Sequence, residues 1–418
     1  MKQHHQLIRN SPFYFLITIS LLFLVNLSHN HNYLLRPTDR SNVSIEASSR
    51  GKNTSSTTFQ FVLNNDTPRS TPSQVRRNYT GKASSHQSTV MGFAIGYDIS
   101  VYHRFVGSLR RSGFQGQIIL AVSPDLDKEI RDYLVSRNVM TKEVQFVNCS
   151  TELLKETEVS NVHDKEVRTC VFPYHYLKAR WGRYPLLRDY LEECKQCAGP
   201  VLISDVRDTF FQCDPFGDNA PHKVAGLQVF EEDKRMKTTN WLVKWPVKEC
   251  KGVIFDKPML CSGTTIGTRK AMLEYLDTMH TEMKSWMQDP KCHFKINGDD
   301  QSIHNYLYYN GNLTFASAIP NRMGIVNTVG AQSAIVKKDH EANMKDRGIT
   351  GGREAQMFPY PGANMSQGLW VGTKFQLTDD RGYFTNLDGH RSCVIHQYDR
   401  YGFQLERWLQ KYSGLLDT

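Results

Sequence analysis

The segment Val201-Leu202-Ile203-Ser204-Asp205-Val206-Arg207-Asp208-Thr209-Phe210-Phe211 constrains this 418-residue chain most. A short apolar run ends in acids and then resumes in apolar residues. Such a run reads as a strand buried on both faces of a parallel sheet. Asp205 and Asp208 then sit at its carboxyl edge, where open α/β sheets bind ligands. Two carboxylates there suit a hard divalent cation, and such a cation suits a diphosphate. A plainer reading stands beside this one: Asp205 caps a turn and Asp208 pairs with a surface base. The segment alone leaves both open.

The flanking sequence supplies partners for such a strand. Residues 91–97 and 116–122 read as strands, and 144–147 as a third short one. Residues 101–112 and 125–135 carry helical spacing, the second after Pro124. Residues 174–193 read as a long amphipathic helix, closed by Gly199-Pro200. Further on, 224–230 suggests a strand, and 270–287 and 300–309 suggest helices. Strands alternating with helices predict an α/β fold, a mostly parallel sheet with right-handed crossovers. From Gly351 the chain is rich in Gly, Pro and aromatics and reads as loops closing over a site. No repeat of 20–50 residues is visible. One catalytic domain over 90–415 is expected.

The amino terminus reads differently. Pro12 to Ser28 holds no charged residue and follows Lys2 and Arg9. It is at the short end of the ~17–25 residues that span a bilayer. No small-x-small cleavage site follows cleanly, so an uncleaved signal anchor is expected at 12–28, with 1–11 as a cytosolic tail. A short span suits the thinner membranes of the early secretory pathway. Residues 29–89 are rich in Ser, Thr, Asn and Arg and read as a disordered stem. Glycosylation sequons lie at Asn42, Asn53, Asn65 and Asn78, and again at Asn148, Asn312 and Asn364. Of the formal charge of +9, residues 1–90 contribute ten bases less three acids, or +7, which leaves +2 for the rest. A nearly neutral folded part argues against a nucleic-acid surface.

All nine cysteines fall between Cys149 and Cys393. In an oxidising lumen most should pair, and the odd count leaves at least one thiol over. Cys194-Lys-Gln-Cys197 has the spacing of a redox or zinc half-site. No second close pair completes a zinc set, which favours a structural disulfide.

Three more stretches are candidates for chemistry. Cys261 to Thr268 (CSGTTIGT) is small-residued, so its backbone could approach a ligand closely, or it could be a tight turn before a helix capped by Thr268. Gly298 to Asn305 opens a helix with Asp299 and Asp300, which suit either the helix dipole or a pocket carboxylate. His304 there reads as a packed or surface histidine. In Val394 to Arg400 (VIHQYDR), His396 ends a β-branched run and is either structural or a metal ligand.

Taken in order, SDVRDTFFQCDPF (204–216), SGTTIGTRKAMLEYLDTM (262–279), DDQSIHNYL (299–307) and VIHQYDR (394–400) resemble lumenal nucleotide-sugar glycosyltransferases of the GT-A fold. The resemblance runs from about Gly92 to Arg400 and looks closest to a plant and algal group of such enzymes. It implies an acidic motif after a buried strand that holds Mn2+ (or Mg2+) and the diphosphate of a nucleotide sugar. Residue by residue, Asp205, Asp208 and His396 would be the metal ligands, and Asp300-Gln301 the acidic-Gln pair at the sugar or acceptor pocket. Ala94, Ile95, Gly96 and Tyr97 would line the nucleotide by position; Arg180 and Tyr184, on the helix before the acidic strand, either reach it or are solvated helix residues. Ser262 and Gly263 are expected to contact the bound nucleotide sugar, and Arg207 either neutralises phosphate charge or simply pairs with Asp208. The spacing D-V-R-D is one residue wider than Asp-x-Asp, so one acid acting through water, or Arg207 binding phosphate itself, stays open.

The expected activity is metal-assisted transfer of a hexose or pentose from a nucleotide-diphosphate sugar to a hydroxyl on a glycan or glycoprotein. The expected place is the lumen of the Golgi or endoplasmic reticulum, as a single-pass type II membrane protein. The alternative is a catalytically inactive lumenal sugar- or nucleotide-sugar-binding protein. A glycoside hydrolase fits less well, because it needs two carboxylates flanking a sugar.

Overall fold

The computed structural model describes residues 87–149, 169–218, 220, 223–233, 236–289, 292, 300–330, 379 and 383–401. The expected cytosolic tail, signal anchor and most of the stem, the sequons at Asn42, Asn53, Asn65, Asn78 and Asn364, and most of the loops after Gly351 lie outside them. Among the described residues no helix is long and apolar enough to cross a membrane.

The chain is α/β, with a mostly parallel seven-stranded sheet and helices on both faces. The strands are β1 Thr89–Ala94, β2 Gln117–Val122, β3 Val139–Glu143, β6 Val201–Ser204, β8 Leu227–Glu231, β9 Leu260–Gly267 and β10 Ala316–Ile319, in the order β10-β8-β9-β6-β1-β2-β3. Only β9 runs antiparallel to its neighbours, β6 and β8. The pairings of β1 with β2 and with β6 are parallel and start together at Thr89, so these strands share one carboxyl rim.

Side chains alternate across this sheet as the two-residue strand period requires. Met91, Ile119 and Val201 join a core with Trp181, Tyr275 and Trp286, which come from helices α4 (Ala179–Glu193) and α6 (Arg269–Gln288). Val90, Leu120 and Leu202 point the other way, to Phe105 and Leu109. Those two lie on a continuous helical stretch: α1 (Ile99–Tyr102), a π-helical segment His103–Gly107, and α2 (Ser108–Arg111). Helix α3 is Lys128–Ser136. Each fully buried Leu, Val or Met contributes roughly 1.5–3 kcal/mol, so both faces hold the sheet firmly.

Two smaller sheets flank the main one. β7 (Thr209–Phe211), β11 (Val326–Thr328) and β12 (Val394–His396) pair in the order β11-β12-β7. β4 (Phe146–Asn148) pairs antiparallel with β5 (Thr169–Val171). Disulfides join Cys149 to Cys170, Cys194 to Cys197 and Cys213 to Cys393, while Cys250, Cys261 and Cys292 are thiols. The close cysteine pair is thus a disulfide, as expected from the lack of a second close pair to complete a zinc set.

Several expectations shift. The first strand ends at Ala94 rather than Tyr97, because Gly96 takes a left-handed φ of +71° and turns the chain. Helix α4 starts at Ala179, not 174, since Thr169–Val171 is spent on a strand and Pro173 follows it. The small-residued stretch after Cys261 is no turn. It is most of β9, with Thr264, Thr265 and Ile266 buried in the sheet centre. Thr268 does cap the next helix, accepting the Ala271 N–H at 3.3 Å. A further helix, α5 (Trp241–Lys251), buries Val243 and Val247, one turn apart. It is delimited by Asn240, which caps Leu242 N–H at 3.0 Å, and by left-handed Gly252.

Candidate metal centre

Asp205 leaves the carboxyl end of β6, and its N–H donates to the Gly263 carbonyl at 2.7 Å. That bond extends the β6–β9 ladder by one step and places Asp205 on the rim. Asp208 precedes β7 and is buried. His396 ends β12, where antiparallel pairing sets it opposite Thr209. Three elements distant in sequence therefore deliver two carboxylates and an imidazole to one spot.

Each of the three offers an atom within 4.8 Å of the others. His396 Nε2 is 3.7 Å from Asp205 Oδ2 and 3.5 Å from Asp208 Oδ1. The wider D-V-R-D spacing does not separate the acids, because Val206 turns inward to the core and is 1% exposed. Burial opposes ionisation of Asp205, but Arg183 and His396 outweigh it and hold that carboxyl well below the usual range. Burial likewise opposes protonation of His396, and Cys261, Asp208 and Asp205 more than offset it, so its pKa lies well above the ordinary value.

A divalent cation fits these residues. The donor set, two carboxylates and one imidazole, is a metal-binding set. His396 Nε2 is buried and has no hydrogen-bond partner. Gly263 leaves space beside it: a Cβ there would fall 2.6 Å from His396 Nε2 and 2.7 Å from Asp205 Oδ2. Glycine at 263 therefore keeps the centre open.

Beside the triad lies a third carboxylate. Asp300, the first residue of α7 (Asp300–Tyr309), accepts from Tyr184 OH at 2.9 Å, from the Gln301 N–H at 2.9 Å and from Ser262 Oγ at 3.4 Å. Arg183 spans the two acidic groups. Its Nη1 donates to Asp205 Oδ1 at 2.6 Å and its Nη2 to Asp300 Oδ2. This guanidinium locks the orientation of both carboxylates.

The structure brings Asp205, Asp208, His396, Ser262, Gly263, Asp300 and Tyr184 together. Tyr97 is close by: its hydroxyl pKa is pushed up to about 12, by burial first and by Asp205 second. Ala94 is buried at the end of β1, its carbonyl taken by Tyr102 OH at 2.8 Å, while Gly96 is exposed at the turn beyond. Arg207 is partly exposed at the edge, paired to Asp399 at 3.3 Å, and reaches Asp208 only at 4.0 Å. Gln301 turns away from Asp300: its amide donates to Glu232 Oε1 at 2.8 Å and to the Leu260 carbonyl at 3.0 Å. Arg180 is exposed on the first turn of α4.

Arg183, not Arg180, bridges the acids. A signal for it was present: Arg183 interrupts Trp181-Gly182 and Tyr184-Pro185-Leu186-Leu187, all buried. A base inside such a run needs an acid to meet it. Cys261 and Glu232 carried no such signal. No protein-family model matches the chain, and no curated protein sequence is significantly similar to it.

Proposed function

We propose that this chain is a metal-dependent glycosyltransferase of the GT-A type, moving a hexose or pentose from a nucleotide-diphosphate sugar to a hydroxyl of a glycan or glycoprotein. The observation that carries the reading is the Asp205–Asp208–His396 triad at the carboxyl rim of a parallel sheet, with Gly263 leaving space in front of it. Oxygen donors suit Mg2+ and Mn2+, and the imidazole moves the preference toward the transition metal.

Asp205, Asp208 and His396 would hold the cation, which would supply charge neutralisation for a diphosphate leaving group. Asp205 is held ionised for that task by Arg183. Asp300, aligned by Arg183, Tyr184 and Ser262, offers a fixed carboxylate to a sugar hydroxyl. Tyr97, on the turn after β1, would border the nucleotide. Asn148 and Asn312 are exposed sequons, in keeping with a lumenal site for the folded part. Anchoring at 12–28 and residence in the Golgi or endoplasmic reticulum belong to the same proposal.

The engagement of Asp205 and Asp300 by one arginine favours the second reading, a nucleotide-sugar-binding protein without turnover. One experiment separates them. The full chain is incubated with Mn2+ and a panel of nucleotide sugars, with and without glycan acceptors, and released nucleoside diphosphate is measured beside the thermal shift. Release that disappears in Asp208→Asn supports the transferase. A Mn2+-dependent thermal shift without release supports the binding protein. Neither response from wild-type protein would overturn both.

A further inference from the structure

We infer that Cys261 is a positioning residue for this metal centre: its sulfur accepts the Nδ1–H of His396 and so fixes the tautomer whose Nε2 lone pair faces Asp205 and Asp208. The inference rests on the metal-site reading above and adds a residue to it.

Cys261 lies on β9, is 2% exposed and forms no disulfide. Its Sγ is 3.4 Å from His396 Nδ1. A cation at Nε2 takes the place of any proton there, and the one remaining ring proton then sits on Nδ1, so the partner of Nδ1 decides how the ring is held. If the thiol donated, Nε2 would hold the proton and point it between two carboxylates at 3.5 and 3.7 Å, where it makes no hydrogen bond. If the sulfur accepts, Nε2 is a bare lone pair in a carboxylate-lined gap, which is what a cation requires.

The surroundings of the sulfur favour the second arrangement. Gln397 Nε2 also donates to it, at 3.9 Å, and the Gly263 backbone hydrogen-bonds it as well. Gln397 is committed to this place, since its N–H donates to the Asp208 carbonyl at 2.8 Å and its φ is +60°. Several donors converging on one sulfur make it an acceptor. Ligating histidines ordinarily have their second nitrogen held in this way by a carboxylate, carbonyl or water; here a thiol takes that place.

The test uses the full chain and Mn2+ alone, with free Mn2+ read by electron paramagnetic resonance. Loss of such an outer partner typically weakens metal binding by about 10–100-fold. Cys261→Ala is expected to fall in that range, and Cys261→Ser, which keeps an acceptor, to recover most of the affinity. Ring-15N-labelled histidine with diamagnetic Mg2+ is expected to show His396, assigned by its loss in His396→Gln, protonated at Nδ1 only. Wild-type affinity in Cys261→Ala, or a serine variant as weak as the alanine one, overturns the inference. So does a His396 that is Nε2-protonated in the Mg2+-loaded wild-type protein, a readout that does not depend on any variant folding. Asp208→Asn and His396→Gln locate any failure. If they lose Mn2+ while Cys261→Ala keeps it, only the role of Cys261 falls. If they bind like wild type, the metal-site reading falls and the inference with it.

Discussion

His396 Nε2 stands 3.5 Å from Asp208 Oδ1, and backbone pairing puts it there. β12 runs antiparallel to β7 with His396 opposite Thr209, and the next N–H, of Gln397, donates to the Asp208 carbonyl. The Cys213–Cys393 disulfide links the chain just after β7 to the chain just before β12, across a separation of 180 residues. The ladder aligns the triad, and the disulfide pins the ladder.

Breaking that disulfide should therefore loosen both fold and site. Closing a loop this long contributes up to about 5 kcal/mol in the chain-entropy view, with about 2–4 typical. The Cys213→Ser/Cys393→Ser variant is expected to lose stability in that range and to bind Mn2+ more weakly. Guanidinium unfolding and Mn2+ titration check this. An unchanged unfolding midpoint would show that other contacts hold β12 in place.

Gly263→Ala should close the metal centre. The added methyl meets His396 Cε1 at 2.5 Å, His396 Nε2 at 2.6 Å and Asp205 Oδ2 at 2.7 Å, so the ring and the carboxylate must move. Overpacking of this size costs about 1–3 kcal/mol. The expected result is a folded protein whose Mn2+ affinity drops at least tenfold. A variant with unchanged Mn2+ affinity would place the ion elsewhere.

Arg183→Met separates charge balance from metal binding. It leaves Asp205 and Asp300 without the shared guanidinium, a loss of about 2–3 kcal/mol. The figure sits at the low end because the Asp205 side chain is 35% exposed and solvent screens it. Removing a cation beside a cation site should leave Mn2+ affinity equal or higher, while nucleoside diphosphate release falls. Loss of Mn2+ binding along with stability would instead make Arg183 a scaffold for the triad. Lysine cannot serve both acids at once and should restore only part of the stability.

The sequence made the sheet legible because β1, β2 and β6 are continuous apolar runs, and it made the rim acids legible because such runs end there. It hid β9, whose Ser262 and Gly263 read as loop chemistry although Thr264 to Ile266 are sheet interior. His396 stands out in sequence as the end of a β-branched run, either structural or a ligand, and only the pairing of β12 with β7 sets it beside the acids. The apolar run around Arg183 marks it as a base in need of an acid, but which acids it meets, like the Cys261–His396 contact, stays hidden: these pairs join separate elements, and no local pattern encodes a long-range pairing.

His304 should give the fold a measurable sensitivity to acid. It is fully buried in α7, with Nδ1 2.8 Å from Tyr275 OH, and burial pushes its pKa down to about 3. In the unfolded chain it titrates near 6.5. The folded state thus binds fewer protons between those values. Its contribution to stability is complete above pH 6.5 and is lost as pH falls toward 3, at up to about 1.4 kcal/mol per unit. Between pH 6.5 and 4.5 the wild-type chain should lose about 2–3 kcal/mol more than His304→Phe, in which no proton can be taken up. Urea unfolding of both proteins at pH 7, 5.5 and 4.5 measures the difference in slope, whatever constant offset the substitution introduces. Parallel slopes would mean that His304 is protonated in the folded state and that Tyr275 accepts its proton.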